Sequence, residues 1–226
     1  MTKPTVAVVL FTYGGTDARR QYAHLCLASL LKHLRYDGPL RYHVADDGSP
    51  EGHAQALVAR LASYDYPITV TNAERGGYGR SYNLATQMVH QVADAVLAVE
   101  DDWELTRDLD LGPLVPALGE IGCIRLGYLG FTREGGLGGI LRHVAGGTYL
   151  MLDPSSDEPH VMAGHPRLES VEWERRVGPW PEGLAPGQTE FEVCHKPEAR
   201  VGVAWPMDVV RAYGDLFAHV GSERSY

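Results

Sequence analysis

One stretch constrains this chain more than any other. Ala95-Val96-Leu97-Ala98-Val99 runs straight into Glu100-Asp101-Asp102-Trp103-Glu104. Consecutive apolar residues with no polar alternation read as a short strand buried on both faces, as parallel strands between two layers of helices are. The acids then stand at its carboxyl end, the edge of an open α/β sheet at which ligands bind. Carboxylates this close repel one another, and a divalent cation is a natural reason to keep them together. Oxygen ligands suit Mg²⁺ or Mn²⁺, ions that commonly bridge to phosphate. A solvated acidic turn is the plain alternative.

Upstream, strand and helix alternate. Val6 to Phe11 reads as a first buried strand, followed by the tight loop Thr12-Tyr13-Gly14-Gly15-Thr16. A helix is expected from Asp17, with Leu27, Leu30, Leu31 and Leu34 on one face and Asp37-Gly38-Pro39 as its stop. Leu40 to Ala45 reads as a second strand ending in Asp46-Asp47-Gly48-Ser49-Pro50, and Ala54, Leu57, Val58 and Leu61 mark a second helix. Ile68 to Thr71 reads as a third strand, and a glycine-rich loop, Asn72 to Arg80, leads into a helix through about Ala93. This order predicts a parallel sheet with helices on both faces. Right-handed crossovers bring the strands' carboxyl ends to one edge. Thr12, Asp46, Asp47, Arg80 and Asp102 are therefore expected to meet there.

The second half is less regular. Ile121 to Phe131 and Gly139 to Leu152 read as strands broken by glycine turns, with Glu134 to Gly139 as a mobile loop. Pro166 to Val177 reads as a helix with proline in its first turn. Thr189 to His195 follows a turn-rich loop, and Val201 to Trp205 reads as a further strand. No composition shift marks a linker. One domain is expected over 1–226, with two functional halves, 1–110 and 111–226, the second ending in a polar tail.

Charge and cysteine content narrow the function. The net charge of −9 argues against a broad nucleic-acid footprint, which needs a basic face. Cys26, Cys123 and Cys194 are far apart and odd in number, so neither a disulfide framework nor a CxxC metal site follows. Met1-Thr2-Lys3-Pro4 leads directly into a strand, and no apolar run is long enough to span a bilayer. A cytoplasmic protein is expected.

Several motifs carry chemistry without being specific alone. A carboxylate at the end of the second strand, Asp46 or Asp47, can accept hydrogen bonds from a nucleobase or ribose, or can simply form an Asx-turn. The loop Gly76-Gly77-x-Gly79 can cradle phosphate with backbone N–H groups, but it is neither a P-loop nor a G-x-G-x-x-G fingerprint. Arg80 and Asn83 lie one helical turn apart, and arginine suits a diphosphate through its planar fork.

In order and spacing, Asp46-Asp47-Gly48-Ser49, the Gly–Arg80–Asn83 segment and Asp101-Asp102 resemble the nucleotide-binding half of GT-A glycosyltransferases, particularly glycosyltransferase family 2. The resemblance implies a metal-dependent enzyme that moves a sugar from a UDP-, GDP- or dTDP-sugar to a saccharide, protein or small-molecule acceptor. It implies that Thr12 and Tyr13 line the nucleotide pocket, that Asp47 binds the base with Asp46 beside it, and that Arg80 meets the diphosphate or sugar near Asn83. Asp102 takes the metal position, Mn²⁺ or Mg²⁺, with Glu100 or Asp101 beside it. Because the element is Glu100-Asp101-Asp102 and not Asp-x-Asp, which acid meets the metal and which the ribose stays open. Glu190 is the candidate base, with Glu192, Glu172 and Glu169 as competitors. His219 resembles the late histidine that closes the metal site in many such enzymes. His165, Arg167 and Trp180 are candidates for the acceptor pocket. Inversion at the anomeric carbon is expected, with a retaining transferase or a non-catalytic nucleotide- or sugar-binding protein as alternatives.

Overall fold

The structure is a computed structural model that describes residues 2–127, 139–155, 164–185, 187–208 and 216–221. The first half alternates β1 (Val6–Thr12), α1 (Asp17–His33), β2 (Leu34–Arg35), β3 (Leu40–Asp46), α2 (His53–Leu61), β4 (Ile68–Asn72), α3 (Gly77–Val89) and β5 (Ala95–Glu100). Short strands β6 (Trp103–Leu105) and β7 (Leu109–Asp110) and a 3₁₀ turn at Val115–Gly119 lead into the second half. That half comprises β8 (Cys123–Arg125), β9 (Gly139–Val144), β10 (Gly147–Leu152), β11 (Arg167–Ser170), α4 (Val171–Val177), α5 (Gln188–Cys194), α6 (Pro197–Arg200), β12 (Val203–Pro206) and β13 (Phe217–His219).

A sheet in the order β4-β3-β1-β5-β11-β8-β12-β10-β9 runs through both halves. Strands β4, β3, β1 and β5 are mutually parallel. Strand β11 enters antiparallel to both β5 and β8, so the sheet is mixed from there on. The mixed α/β fold that the alternation implies is what forms.

Alternation along the strands explains their unbroken apolar character. Val6, Val8 and Leu10 of β1 and Ala95, Leu97 and Val99 of β5 pack with Leu27, Leu30, Leu57 and Leu61 of α1 and α2. Ala7, Val9 and Phe11, with Val96 and Ala98, pack on the opposite face with Tyr82, Ala85 and Val89 of α3. Both faces are covered, so every residue from Val6 to Thr12 is buried. This two-sided burial is the main stabilising term of the half, at roughly 25 cal/mol for each Å² of apolar surface removed from water.

Several boundaries differ from the sequence reading for physical reasons. Helix α1 stops at His33, before the expected Asp37, because Leu34 and Arg35 pair with Leu109 and Asp110. The segment read as a helix from Pro166 opens as a strand: Arg167 to Ser170 pairs with β5 on one side, and Arg167 to Glu169 pairs with β8 on the other. Its helix, α4, begins only at Val171, where the Ser170 hydroxyl caps it by accepting from Trp173 N at 3.1 Å. Gly139 to Leu152 forms a hairpin turning at Ala145 and Gly146, both at positive φ. Of the expected strand at 121–131, residues 123–125 form β8 and 128–131 lie outside the described residues, as do 134–138 of the expected loop.

Candidate active site

Register brings the strand ends together. Thr12 pairs with Asp46, which pairs with Asn72, and Phe11 pairs with Glu100. Past the strands, Asp47 N donates to Thr12 O and Asp101 N donates to Phe11 O, both at 3.0 Å. The acids at the ends of β3 and β5 therefore flank the end of β1, and this shared edge is the candidate site.

The three acids after Val99 face three different surroundings. Asp101 continues the α1 side of β5 and is fully buried. Its carboxylate accepts from Thr12 Oγ1 at 2.8 Å, Tyr13 N at 3.0 Å and an Arg19 guanidinium nitrogen at 2.5 Å. Burial pushes its carboxyl up to about 7, with Arg19 opposing the shift. Thr12 spends its single proton on Asp101, so its oxygen accepts from His53 Nε2 at 2.8 Å and fixes that ring as the Nε2–H tautomer. Thr12, Tyr13 N and Asp101 are thus tied to one another within the fold.

Glu100 continues the α3 side. Its Oε1 is enclosed and has no hydrogen-bond partner among the described residues. Gly164 lies so close to that oxygen that a Cβ there would come within 1.6 Å of it, so a larger residue would have to push the Glu100 carboxylate aside. Burial raises the Glu100 carboxyl well above the usual range, and Asp102 and Glu190 push it further the same way. Glu190 lies half-buried in the first turn of α5, so the sheet edge and α5 bring the expected base near the acids.

Asp102 is 8% exposed, and its Oδ1 is buried without a partner. Its Oδ2 lies 3.4 Å from Arg19 NH1 and 3.5 Å from His219 Nε2. His219 reaches this place because β13 pairs antiparallel with β6, setting His219 opposite Trp103. Their rings meet edge-on at 5.0 Å, and His165 packs on Trp103 at 5.1 Å. Burial, with Arg125 and Arg167 nearby, pushes His165 down to about 3, so its ring is neutral at physiological pH.

No group of three His, Cys, Asp or Glu side chains stands in metal-binding geometry among the described residues. The donor chemistry nevertheless fits a hard divalent ion. At this edge Glu100 and Asp102 each have an enclosed oxygen without a partner among the described residues, and the His219 imidazole stands by the other oxygen of Asp102, which suits Mn²⁺ or Mg²⁺ when phosphate oxygens complete the shell.

On the nucleotide side, Asp47 accepts from Gly76 N at 2.8 Å and from Gly77 N at 3.1 Å, capping α3. Gly48 makes this approach possible: its φ is +76°, and a Cβ there would lie 2.5 Å from Arg75 N. Arg75 in turn lies over the Tyr13 ring at 3.7 Å. Asp46 is buried and accepts from Ser49 N at 3.2 Å, a turn contact. Arg80 folds back over Gly76, beside the same loop. Asn83 is drawn away from the donor edge: its amide donates to Trp180 O at 2.9 Å and accepts from Trp180 N at 2.8 Å.

Two expected acceptor residues are corrected by burial. Arg167 is completely enclosed, donating to Glu169 Oε1 at 2.8 Å. Trp180 is 3% exposed and packs on Tyr82 at 4.5 Å. Neither presents a surface to an acceptor. Among the competing bases, Glu169 is enclosed with Arg167, Glu172 pairs with Arg176, and Glu192 is exposed on α5. The residue that the sequence reading missed is Arg19. Its signal was only a basic residue one turn into α1, which is indistinguishable from a surface arginine until the fold places it under the acids.

A cavity of about 780 Å³ lies at the opposite end of β5, against Asp94, Ser170 and Arg175. Concavity and chemistry disagree here. Of the three buried carboxylate oxygens without a partner among the described residues, those of Glu100 and Asp102 lie together at the carboxyl edge and the third belongs to Glu174; the pair marks the carboxyl edge as the candidate site, because enclosed charge without a partner costs free energy that a ligand can offset.

A family model described as "Glycosyl transferase family 2" matches residues 8–142. No curated protein matches the sequence. Among solved structures, S. aureus TarS 1-349 superposes with a TM-score of 0.63 at 17% identity, covering 90% of this chain and 58% of its own. GalNAc-T7 with UDP, GalNAc and Mn²⁺ gives 0.60 at 17% identity, covering 90% and 42%. Pyrobaculum calidifontis PcManGT in complex with GDP-Man and Mn²⁺ gives 0.55 at 16%, covering 94% and 59%. The chain therefore spans less than two thirds of each of these proteins, and the likeness is one of GT-A fold.

Proposed function

Because the chain belongs to glycosyl transferase family 2, we propose that it transfers a sugar from a nucleoside-diphosphate sugar to an acceptor hydroxyl with inversion. The observation that carries this reading is the pair of enclosed, unpartnered oxygens of Glu100 and Asp102 at the sheet edge shared with Asp47. Asp102, with His219 and Glu100, would hold Mn²⁺ or Mg²⁺, and the bound ion would offset the charge that develops on the leaving diphosphate. The solved neighbours bound to UDP, GDP-Man and Mn²⁺ support this assignment.

The chain's own residues have separate tasks. Asp47 and Tyr13 bind the base and nucleoside, Asp47 exchanging its contacts with Gly76 and Gly77 for the base edge. Arg80 approaches the diphosphate from α3. Glu190 accepts the acceptor's proton. The freed oxygen bonds to the anomeric carbon while the bond from that carbon to the diphosphate breaks. The proton ends on Glu190, and the electron pair leaves with the nucleoside diphosphate. His165, neutral and beside the acids, lines the acceptor side. The acceptor class is a saccharide, a protein or a small molecule. The three cysteines are buried and none is in a disulfide, which fits the reducing cytoplasm. No helix among the described residues is long and apolar enough to cross a membrane.

The test combines binding with turnover. UDP, GDP and dTDP are screened by thermal shift with Mn²⁺ and with EDTA, where a specific ligand raises the melting temperature by mass action. One nucleotide should give a shift that EDTA abolishes. With that donor, Glu190→Gln should lower kcat by about 10²- to 10³-fold while leaving nucleotide binding unchanged. Wild-type turnover in this variant removes Glu190 as the base and turns the reading toward retention, which the anomeric configuration of the product reports.

A further inference from the structure

Three consecutive acids end β5, yet they cannot all meet one cation, because side chains alternate across a strand. Something must decide which acid is withheld. We propose that Arg19 is the positioning residue that makes this choice, withholding Asp101 and leaving Asp102 open; the inference rests on the cation-dependent reading of the site given above.

The geometry is specific. Arg19 sits in the first turn of α1, where its backbone N–H donates to the capping hydroxyl of Thr16. Its guanidinium is 6% exposed, so it does not reach the solvent side of the site. One arm donates to Asp101 Oδ1 at 2.5 Å. The other approaches Asp102 Oδ2 at the longer distance of 3.4 Å. Nε leans toward Tyr13 O at 3.5 Å, which ties the fork to the end of β1.

The consequences for the two aspartates are opposite. Asp101 has donors on both oxygens: Arg19 on Oδ1, and Thr12 and Tyr13 N on Oδ2. Its charge is balanced by Arg19, and each of its oxygens already accepts a hydrogen bond inside the fold. Asp102 keeps Oδ1 without a donor, while Oδ2 is held between Arg19 and His219. A planar fork is needed for this division. Lysine, a point donor, could hold one carboxylate but could not span both.

The decisive experiment is isothermal Mn²⁺ binding by the full chain, read as loss of the aqueous Mn²⁺ EPR signal beyond a nucleotide-only control, with UDP and with GDP. The informative variant is Arg19→Met combined with Asp101→Asn, which removes both members of the buried Arg19–Asp101 pair, so that neither is left without the other. The Mn²⁺ concentration for half-saturation is expected to rise at least about tenfold in this folded protein, with Arg19→Lys showing a smaller rise. A counter-ion role alone would change the melting temperature and leave the Mn²⁺ midpoint in place. A midpoint within twofold of wild type therefore overturns the inference. Should the double variant fail to fold, the same criterion applied to Arg19→Lys decides. Absence of Mn²⁺ binding by the wild type overturns the cation reading and this inference together, whereas wild-type binding with an unchanged variant overturns this inference alone.

Discussion

Glu100 and Glu169 lie on neighbouring antiparallel strands and on the same face of the sheet, yet their surroundings are opposed. Glu169, on β11, has both oxygens satisfied, by Arg167 Nε at 2.8 Å and by the Tyr82 hydroxyl at 2.9 Å. Glu100, at the end of β5, has an enclosed oxygen without a partner, and so has Asp102 two residues later. The same residue type is structural in the first place and a candidate ligand in the second. Completeness of the hydrogen-bond shell separates them: the half-buried Glu100 has an enclosed oxygen without a partner among the described residues, and the fully buried Glu169 has both oxygens paired. A satisfied acid is part of the scaffold, while an enclosed and unsatisfied one is held ready for something that binds.

The sharpest way to break this contrast is Asp102→Asn. Donor turnover is expected to fall by about 10³-fold, with a melting temperature close to that of the wild type, because the Coulombic contact to the cation is lost, whereas the native contacts weakened are the long ones from Oδ2 to Arg19 at 3.4 Å and His219 at 3.5 Å. Nucleoside diphosphate release measured beside a thermal melt gives both numbers. Full activity in this variant, insensitive to EDTA, would move Asp102 to the structural side.

The converse substitution is Arg167→Met. It strands Glu169 in the interior, and loss of one partner from a buried pair costs about 3–5 kcal/mol. Urea unfolding should show that loss, while kcat per folded molecule stays within about threefold. Pairing Arg167→Met with Glu169→Gln should recover part of the stability, since the two sites are coupled. A large fall in kcat without loss of stability would show that Arg167 reaches the reaction after all.

The smallest effect sharpens the contrast through pH. His43 on β3 is 1% exposed, its ring held between Thr69 Oγ1 at 2.8 Å and Thr71 Oγ1 at 3.1 Å. Burial pushes its pKa down to about 4. The unfolded chain, with an ordinary histidine value near 6.5, takes up the proton first as pH falls. The stabilising contribution is therefore complete above about pH 6.5 and is lost as pH drops toward 4. Between pH 7 and pH 5 the wild type should lose about 2 kcal/mol more than His43→Gln. Denaturant titrations at the two pH values measure this. Equal pH slopes would place the acid sensitivity of the fold elsewhere.

Legibility followed the kind of burial. Strands β1, β3 and β5 were readable because apolar helices cover both of their faces, and the apolar runs record it directly, whereas β4 is a half-exposed edge strand. Strand β11 was not readable. Arg167 and Glu169 occupy its buried α3 side, so charged residues stand at core positions and disguise the period of two, and Pro166 suggested a helix start. The Ser170 cap was the one local sign that the helix begins later. Trp180 and Arg167 were read as acceptor contacts from residue type alone, and packing against Tyr82 removed that option.

The sequence by itself determined the alternation of strand and helix, the edge at which the loops converge, and the acids that stand there. Those features follow from local hydrophobic period and chain direction. Which of Glu100, Asp101 and Asp102 is available was decided only in three dimensions. Side chains at a strand end point to opposite faces, and the group that claims Asp101 belongs to Arg19, 82 residues away along the chain. Pairing over that distance depends on how α1 docks on the sheet, which no local pattern of residues encodes.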